Sequence, residues 1–491
     1  MKSTIKMKKH LQLLSILTLV SIVGACKKNF LEEPPRVQTA DDYFKTSTQA
    51  AREMVNAIYN KLYDWNIHSF PFIGMTEIAG DNASKGSDVG DSGGDKDQLD
   101  AYFFSSTSIS FGDVWNGYFE GIARANKAIK FINELEIPEA QKTQYIAEAR
   151  FLRGYFYFFL VRSFGGVPLI DKVPETEAEI AQTYVRASVD DVYTLIESDF
   201  QYALQLPSKQ LIDLGRVSGD AARAFLAKVA LYRQNWGQCA SYCNEIINSG
   251  EYKLMADYSH IWREIGEYSE ESIWEVNAKG SDPQKGILEY YVVQAPRGGS
   301  KGLGWGFNTP TQEFYDAYEE GDLRRDATVI VSGQTLWDGW ETDPNHTNPM
   351  YNYKSYVSRL AESWGQGDIN SNKNLRVIRY GEVLLMAAEA ANEIGNSALS
   401  CNFLNELRNR AGLSDFNSAN SDTLRAKIWN ERRFELAFEH DRLFDLRRQG
   451  RIGEVLKKQG IPFTDGKHEL YPIPQRQIDL SNGKMIQNPG Y

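Results

Sequence analysis

Residues 148–170 read EARFLRGYFYFFLVRSFGGVPLI. At 3.6 residues per turn, the consecutive rings of Tyr155, Phe156, Tyr157, Phe158 and Phe159 point around a helix's whole circumference. A helix that is apolar all round is a buried one, so this stretch predicts the central element of a large helical body. Helical spacing reaches back to Thr143, and Gly165-Gly166 followed by Pro168 ends the helix at Phe164. Arg150, Arg153 and Arg162 bracket the aromatic run and exclude a membrane span.

Outward from this segment the 3.6-residue rhythm recurs. Asp41–Trp65 carries Tyr43, Ala50, Met54, Ala57, Ile58 and Leu62 at helical spacing, with Asp41 or Asp42 placed to cap it. Val114–Leu135, Ser188–Leu206, Ser218–Tyr232 and Gln238–Ser249 follow. Ala227, Leu231, Tyr232, Trp236, Ala240 and Ile247 alternate small with large side chains, as closely approaching helix pairs require. Leu385, Ala388, Ala391, Gly395, Ala398 and Leu404 repeat that pattern within 379–411. Degenerate tetratricopeptide units and generic antiparallel pairs both fit these positions. The last helical block, Leu424–Arg448, sets a dense mixture of Glu, Asp and Arg around Trp429, Phe434, Phe438 and Phe444, which predicts a solvated or inter-helix ion network rather than an active site. Tyr471-Pro472-Ile473-Pro474 and the polar tail to Tyr491 read as non-helical.

Two stretches break the rhythm. Residues 69–100 are interrupted by Pro71 and six glycines and crowded with Asp, which predicts a long loop. Residues 280–373 are rich in Gly, Pro and Asn and hold Trp305, Trp337, Trp340 and Trp364, with one short helix expected over Thr311–Tyr318. Tryptophans in irregular, polar segments are candidates for exposure, with partial burial the alternative.

At the N-terminus, Lys2, Lys6, Lys8 and Lys9 precede a thirteen-residue apolar run, Leu11–Val23, closed by Gly24-Ala25-Cys26. That is the charged and apolar pattern of a secretory signal, well short of the roughly 20 residues of a spanning helix. The small residues before Cys26 resemble a bacterial lipobox, which implies cleavage after residue 25 and a lipid-modified Cys26. Two or more acyl chains anchor stably where one does not. Lys27, rather than Asp, follows the cysteine, so nothing argues for retention at an inner membrane. Residues 26–40 then form a tether.

The chain of 491 residues carries 54 basic and 65 acidic side chains, a net charge of −11 that falls to −15 without the four signal lysines. That balance repels phosphate backbones and argues against nucleic acid as a partner. Besides Cys26, three cysteines remain, an odd number that builds no disulfide framework. Cys239 and Cys243 lie one helical turn apart with no nearby His and read as small apolar packing residues. Gly90-Asp91-Ser92-Gly93-Gly94 spells a serine-nucleophile motif, but in an acidic loop of a helical protein, with only His68 nearby, it lacks the context that chemistry needs. No catalytic residue is assigned. Asp88, Asp91, Asp95, Asp97 and Asp100 offer oxygen ligands for calcium in an order unlike an EF-hand, the alternative being a solvated acidic loop.

Together several stretches resemble the SusD/RagB family of surface glycan-binding lipoproteins: the lipobox with CKKNFLEEPP from Cys26, EARFLRGYFYFFLVRSFGGVPLI from Glu148, NTPTQEFYDAYEEGDLRRDATV from Asn308, RYGEVLLMAAEAANE from Arg379 and NERRFELAFEHDRLFDLRRQGR from Asn430. The resemblance implies a mainly α fold in which four tetratricopeptide-like helix pairs pack against an irregular ligand-binding half. An N-terminal region, 41–279, would be followed by a C-terminal one, 280–491, whose final helix pairs span 379–448. It implies a non-enzymatic, outer-membrane, lipid-anchored protein facing outward, which binds oligosaccharide and hands it to a SusC-like TonB-dependent transporter. Alternatives are capture of oligopeptides for a peptide transporter and, in a different class, a polysaccharide-degrading enzyme. A sugar ring offers an apolar face and a rim of hydroxyls, so the expected contacts are Trp65 with Asp81 and Asn82 in one region and Trp305, Trp337 and Trp340 in the other.

Overall fold

The computed structural model describes residues 45–279, 288–297, 303–363 and 371–491. Cys26 and Trp364 lie outside the described residues. Among those described, helices dominate and no helix is long and apolar enough to cross a membrane.

The longer helices form four successive pairs. α1 (Thr48–Tyr59) packs on α2 (Ile109–Glu134), α3 (Glu139–Phe164) on α4 (Val189–Ala203), α5 (Gly219–Tyr232) on α6 (Trp236–Asn248), and α7 (Tyr380–Glu393) on α8 (Ser397–Arg410). Adjacent pairs join through α2 with α3, α4 with α5, and α6 with α7, and α9 (Ser421–Glu435) closes against α7. This is the tetratricopeptide-like arrangement. Ser47, Ser188, Ser218, Asn235, Asn396 and Asn420 cap helix starts, each accepting from the backbone N–H three residues on. Such caps contribute about 1 kcal/mol each.

The aromatic segment sits where its composition requires. Every residue from Phe151 to Val161 is buried. Gly121 lets α2 approach closely, because a Cβ there would lie 2.5 Å from the Phe156 ring. The cations in α3 are neutralised in place. Arg153 forks onto Asp199 through two 2.7 Å bonds, and Arg162 lies 4.1 Å above the Phe158 ring and 4.2 Å from that of Phe444. Cys239 and Cys243 are buried free thiols on α6.

Strands are few and short, and most of their residues are buried. β1 (Ala83–Gly86), β2 (Ser272–Val276), β3 (Phe307–Pro310), β4 (Val329–Val331), β5 (Met350–Asn352) and β6 (Leu375–Arg379) form the antiparallel pairs β1–β3, β2–β6 and β4–β5. In the first pair Ser84 faces Thr309 and Gly86 faces Phe307, which ties residues 83–86 to the otherwise irregular segment after Gly280.

The mixed charges of α9 and α10 (Arg442–Arg448) form a buried inter-helix network, not a solvated face. Glu435 accepts from Arg379 at 2.6 Å, from Arg324 at 3.1 Å and from Arg410. Arg379 also reaches Glu271 at 2.6 Å and Glu439 at 2.8 Å. Burial works against the ionised Glu435, yet the surrounding guanidinium groups of Arg410, Arg379 and Arg324 hold its carboxyl well below the usual range.

Three expectations fail. Residues 69–100 are folded: helical turns at Phe70–Ile73, Gly74–Ile78 and Asp95–Asp100 flank β1. The glycines and Pro71 mask a set of core side chains, Phe70, Phe72, Ile73, Met75 and Ile78, and proline in a first helical turn costs little. The acidic positions are not a free solvated loop either. Asp95 is buried against Lys96, Asp97 pairs with Lys85, and Asp88 and Asp91 pair with Arg297. Among the described residues no group of three or more His, Cys, Asp or Glu is placed to hold a metal ion. The C-terminal tail also contains a helix, Gln475–Leu480, directly after Pro474, where proline sets the entry angle rather than breaking a helix.

Candidate functional site

Trp65 opens a short helix, Trp65–His68, and Trp305 precedes β3. The pairing of β1 with β3 brings the segment around Trp305 toward the N-terminal half: Gly306 accepts from Ser87 N at 2.7 Å, and Ser87 Oγ donates to the Trp305 carbonyl at 2.7 Å. The two indoles then stand 6.3 Å apart, centroid to centroid, with their planes 52° apart. Phe70 fills the angle between them, edge-on to Trp65 at 5.9 Å and to Trp305 at 6.4 Å, and packs on Phe307 at 4.4 Å. Trp65 is half-buried, whereas Trp305 is 39% exposed despite these neighbours.

These rings line an open cleft of about 420 Å³ whose remaining wall carries Asp91, Asp95, Lys96, Ile109, Asp113 and Arg297. Its cations are already engaged. Lys96 donates to Asp95 at 2.5 Å and Ser110 at 2.8 Å and lies 4.2 Å from the Phe70 ring centre. Arg297 bridges Asp91 and, at 2.9 Å, Asp88. The arrangement offers apolar ring faces beside polar groups held rigidly by their own pairs, which suits a ligand that is apolar on its faces and polar on its rim.

The other expected contacts lie elsewhere. Asp81 is 1% exposed and is forked by Arg442 at 2.7 and 2.6 Å, while Asn82 accepts from Arg433 at 2.7 Å. Burying that carboxylate requires a fixed cation, so Asp81 joins the N-terminal half to α10. Asp81, Arg433 and Arg442 line a larger cleft of about 620 Å³, where Arg442 is held by Asp81 and Arg433 by Glu313, and Trp429 is the one aromatic side chain in its lining. Trp337 is 37% exposed, with Arg263 stacked 4.0 Å from its ring centre. Trp340 stacks on Tyr356 at 5.8 Å and packs into a separate small core with Tyr258, Ile330 and Tyr351. Neither lines the cleft formed by Trp65 and Trp305.

Phe70, Phe307, Arg297 and Asp113 escaped the sequence reading. The alternation of Gly304 and Gly306 with Trp305 and Phe307 is a usable signal for a short, ligand-facing strand entry. Asp113, an isolated acid in the second turn of a helix, carried none.

Residues 270–491 match the model of the SusD family, and residues 29–231 match one described as starch-binding associating with outer membrane. Among curated proteins, a SusD-like protein of Formosa agariphila is 27% identical over 99% of this chain and 100% of its own length. Among solved structures, a laminarin-binding SusD-like protein is 28% identical with a TM-score of 0.76, covering 91% of this chain and 100% of its own. Surface glycan-binding protein A from Bacteroides thetaiotaomicron, in complex with laminarihexaose, is 25% identical with a TM-score of 0.77, covering 90% and 99%. The two models take up most of the chain in order, and the relatives match it nearly end to end on the same helical scaffold. The chain belongs to the SusD/RagB family.

Proposed function

We propose that this chain is a non-enzymatic glycan binder, lipid-anchored through Cys26 on the outer face of the outer membrane, which captures oligosaccharide on Trp65 and Trp305 and passes it to a SusC-like TonB-dependent transporter. The observation that carries the reading is the tilted pair of indoles, Trp305 exposed and Trp65 half-buried, over a cleft in which the charged groups other than Asp113 are paired internally. Rings inclined by 52° cannot both lie flat on a straight, ribbon-like chain, but they follow one that turns between successive sugars. One similar structure is of a laminarin-binding protein and another is a complex with laminarihexaose, which supports the choice of laminarihexaose as first probe.

Calorimetry with laminarihexaose, other neutral hexasaccharides and a peptide library tests the ligand class. Oligosaccharide binding that Trp305→Ala abolishes supports the proposal, while binding of peptides alone would reassign the ligand class. Cys26→Ala should release the protein from membranes, and pull-down from outer membranes should recover a large β-barrel partner. A variant that stays membrane-bound, or a protein recovered alone after gentle extraction, contradicts the anchor and the transporter role respectively.

A further inference from the structure

One carboxylate in the aromatic cleft feels the charge of Lys96 but makes no direct contact with it. Asp113, half-buried in the second turn of α2, lines the cleft together with both tryptophans. Its neighbours are committed: Asp95 to Lys96 and Ser110, Asp91 to Arg297 and the Asp88 N–H, Lys96 to Asp95 and Ser110, and Arg297 to Asp88 and Asp91. Among the described residues the Asp113 carboxylate has neither a hydrogen-bond nor an ion-pair partner, and no cation lining the cleft is free to meet an anionic ligand. An ionised carboxylate accepts only, and its two oxygens match a pair of adjacent hydroxyls. The same carboxylate repels a uronate or a sulfate brought into a partly desolvated cleft.

We infer that Asp113 is the specificity-determining residue of this cleft, accepting from neighbouring hydroxyls of a neutral sugar seated on Trp65 and Trp305 and barring uronate-containing or sulfated chains. The inference rests on the glycan-binding reading above and narrows its ligand class. The aromatic faces bind any sugar ring of suitable curvature, while the lone acceptor beside them decides by charge which chains remain.

The test titrates the detergent-solubilised full chain with neutral hexasaccharides (laminarihexaose, maltohexaose, xylohexaose) and with an oligogalacturonate of similar length, for the parent, Asp113→Asn, Asp113→Lys and Trp305→Ala. Melting temperatures confirm that the variants are folded. The parent should bind a neutral chain and not the uronate. Asp113→Asn should bind the neutral chain roughly tenfold more weakly, the loss of one charge-assisted acceptor, and Asp113→Lys should gain measurable uronate binding. If Asp113→Asn binds like the parent while Trp305→Ala does not bind, the role of Asp113 is overturned and the aromatic site stands. A parent that prefers the uronate overturns the charge selection. A Trp305→Ala variant that binds like the parent, or a parent that binds no neutral chain, removes the site and the inference together.

Discussion

Ser87 donates its hydroxyl to the carbonyl of Trp305 at 2.7 Å, so the loop after β1 positions an indole that belongs to the C-terminal half. The neighbouring Gly86 has φ +69°, and a Cβ there would fall 2.5 Å from the Gly306 carbonyl oxygen. Gly86→Ala should therefore push β1 and β3 apart beside Trp305. The expected result is a loss of about 1–2 kcal/mol in stability together with weaker oligosaccharide binding, read by urea denaturation and calorimetry on the same preparation. Unchanged binding would show that Trp305 is positioned by other contacts.

The junction of α2 with α3 makes a packing prediction. Gly121→Ala places a methyl group against the Phe156 ring, whose own neighbours include Tyr118 at 5.8 Å and Tyr155 at 5.9 Å. With no room for the ring to yield, the substitution should cost about 1–3 kcal/mol, seen as a lower urea midpoint with an unaltered far-ultraviolet spectrum.

A buried ion network predicts a larger loss. Glu435→Gln leaves Arg379, Arg410 and Arg324 around a neutral amide. Removing one partner of such a cluster costs roughly 3–5 kcal/mol, because the remaining charges stay buried without compensation. The urea midpoint should fall accordingly, while ligand affinity measured well below that midpoint should change little, since Glu435 does not line the aromatic cleft.

Glu77 gives a pH dependence of opposite sign to a salt-bridged acid. Burial raises its carboxyl to about 8, against an ordinary value of 4.5, even though it accepts from His440 N at 2.5 Å. A raised folded-state value means that the folded chain holds the proton after the unfolded chain has lost it. The stability that Glu77 contributes is therefore fully present below pH 4.5 and is lost as the pH rises toward about 8. Glu77→Gln, which mimics the protonated acid, should gain stability relative to the parent across that window, by on the order of 4 kcal/mol at its upper end. Thermal melts at intervals through the window check this, and a constant difference between the two proteins would contradict it.

How far each feature could be read from the chain depended on whether its cause is local. The burial of α3 follows from five successive aromatic residues, and the helix pairs follow from small residues at helical spacing, because both patterns act within a few turns. The fold of residues 69–100 could not be read in that way. Phe70, Phe72 and Ile78 find their cores only through distant partners such as Phe307 and Phe159, and the intervening glycines look like a loop. Asp81 and Asn82 were assigned to a ligand because their counter-ions, Arg442 and Arg433, lie in another helical block. The same long-range pairing decides between the solvated and inter-helix readings of the charged run in favour of a buried inter-helix network. Trp65 and Trp305 could be named as candidates from their irregular surroundings, but their meeting depends on the β1–β3 register.

The measurement closest to the central claim is a calorimetric titration of laminarihexaose and the other neutral hexasaccharides into the parent and into Trp65→Ala, Trp305→Ala and Trp337→Ala. Stacking on the cleft predicts that the first two substitutions each weaken binding by about tenfold or more, roughly 1.5 kcal/mol or above, and that Trp337→Ala, outside the cleft and stacked on Arg263, binds like the parent. Loss of binding in Trp337→Ala with binding retained in both cleft variants would contradict the account.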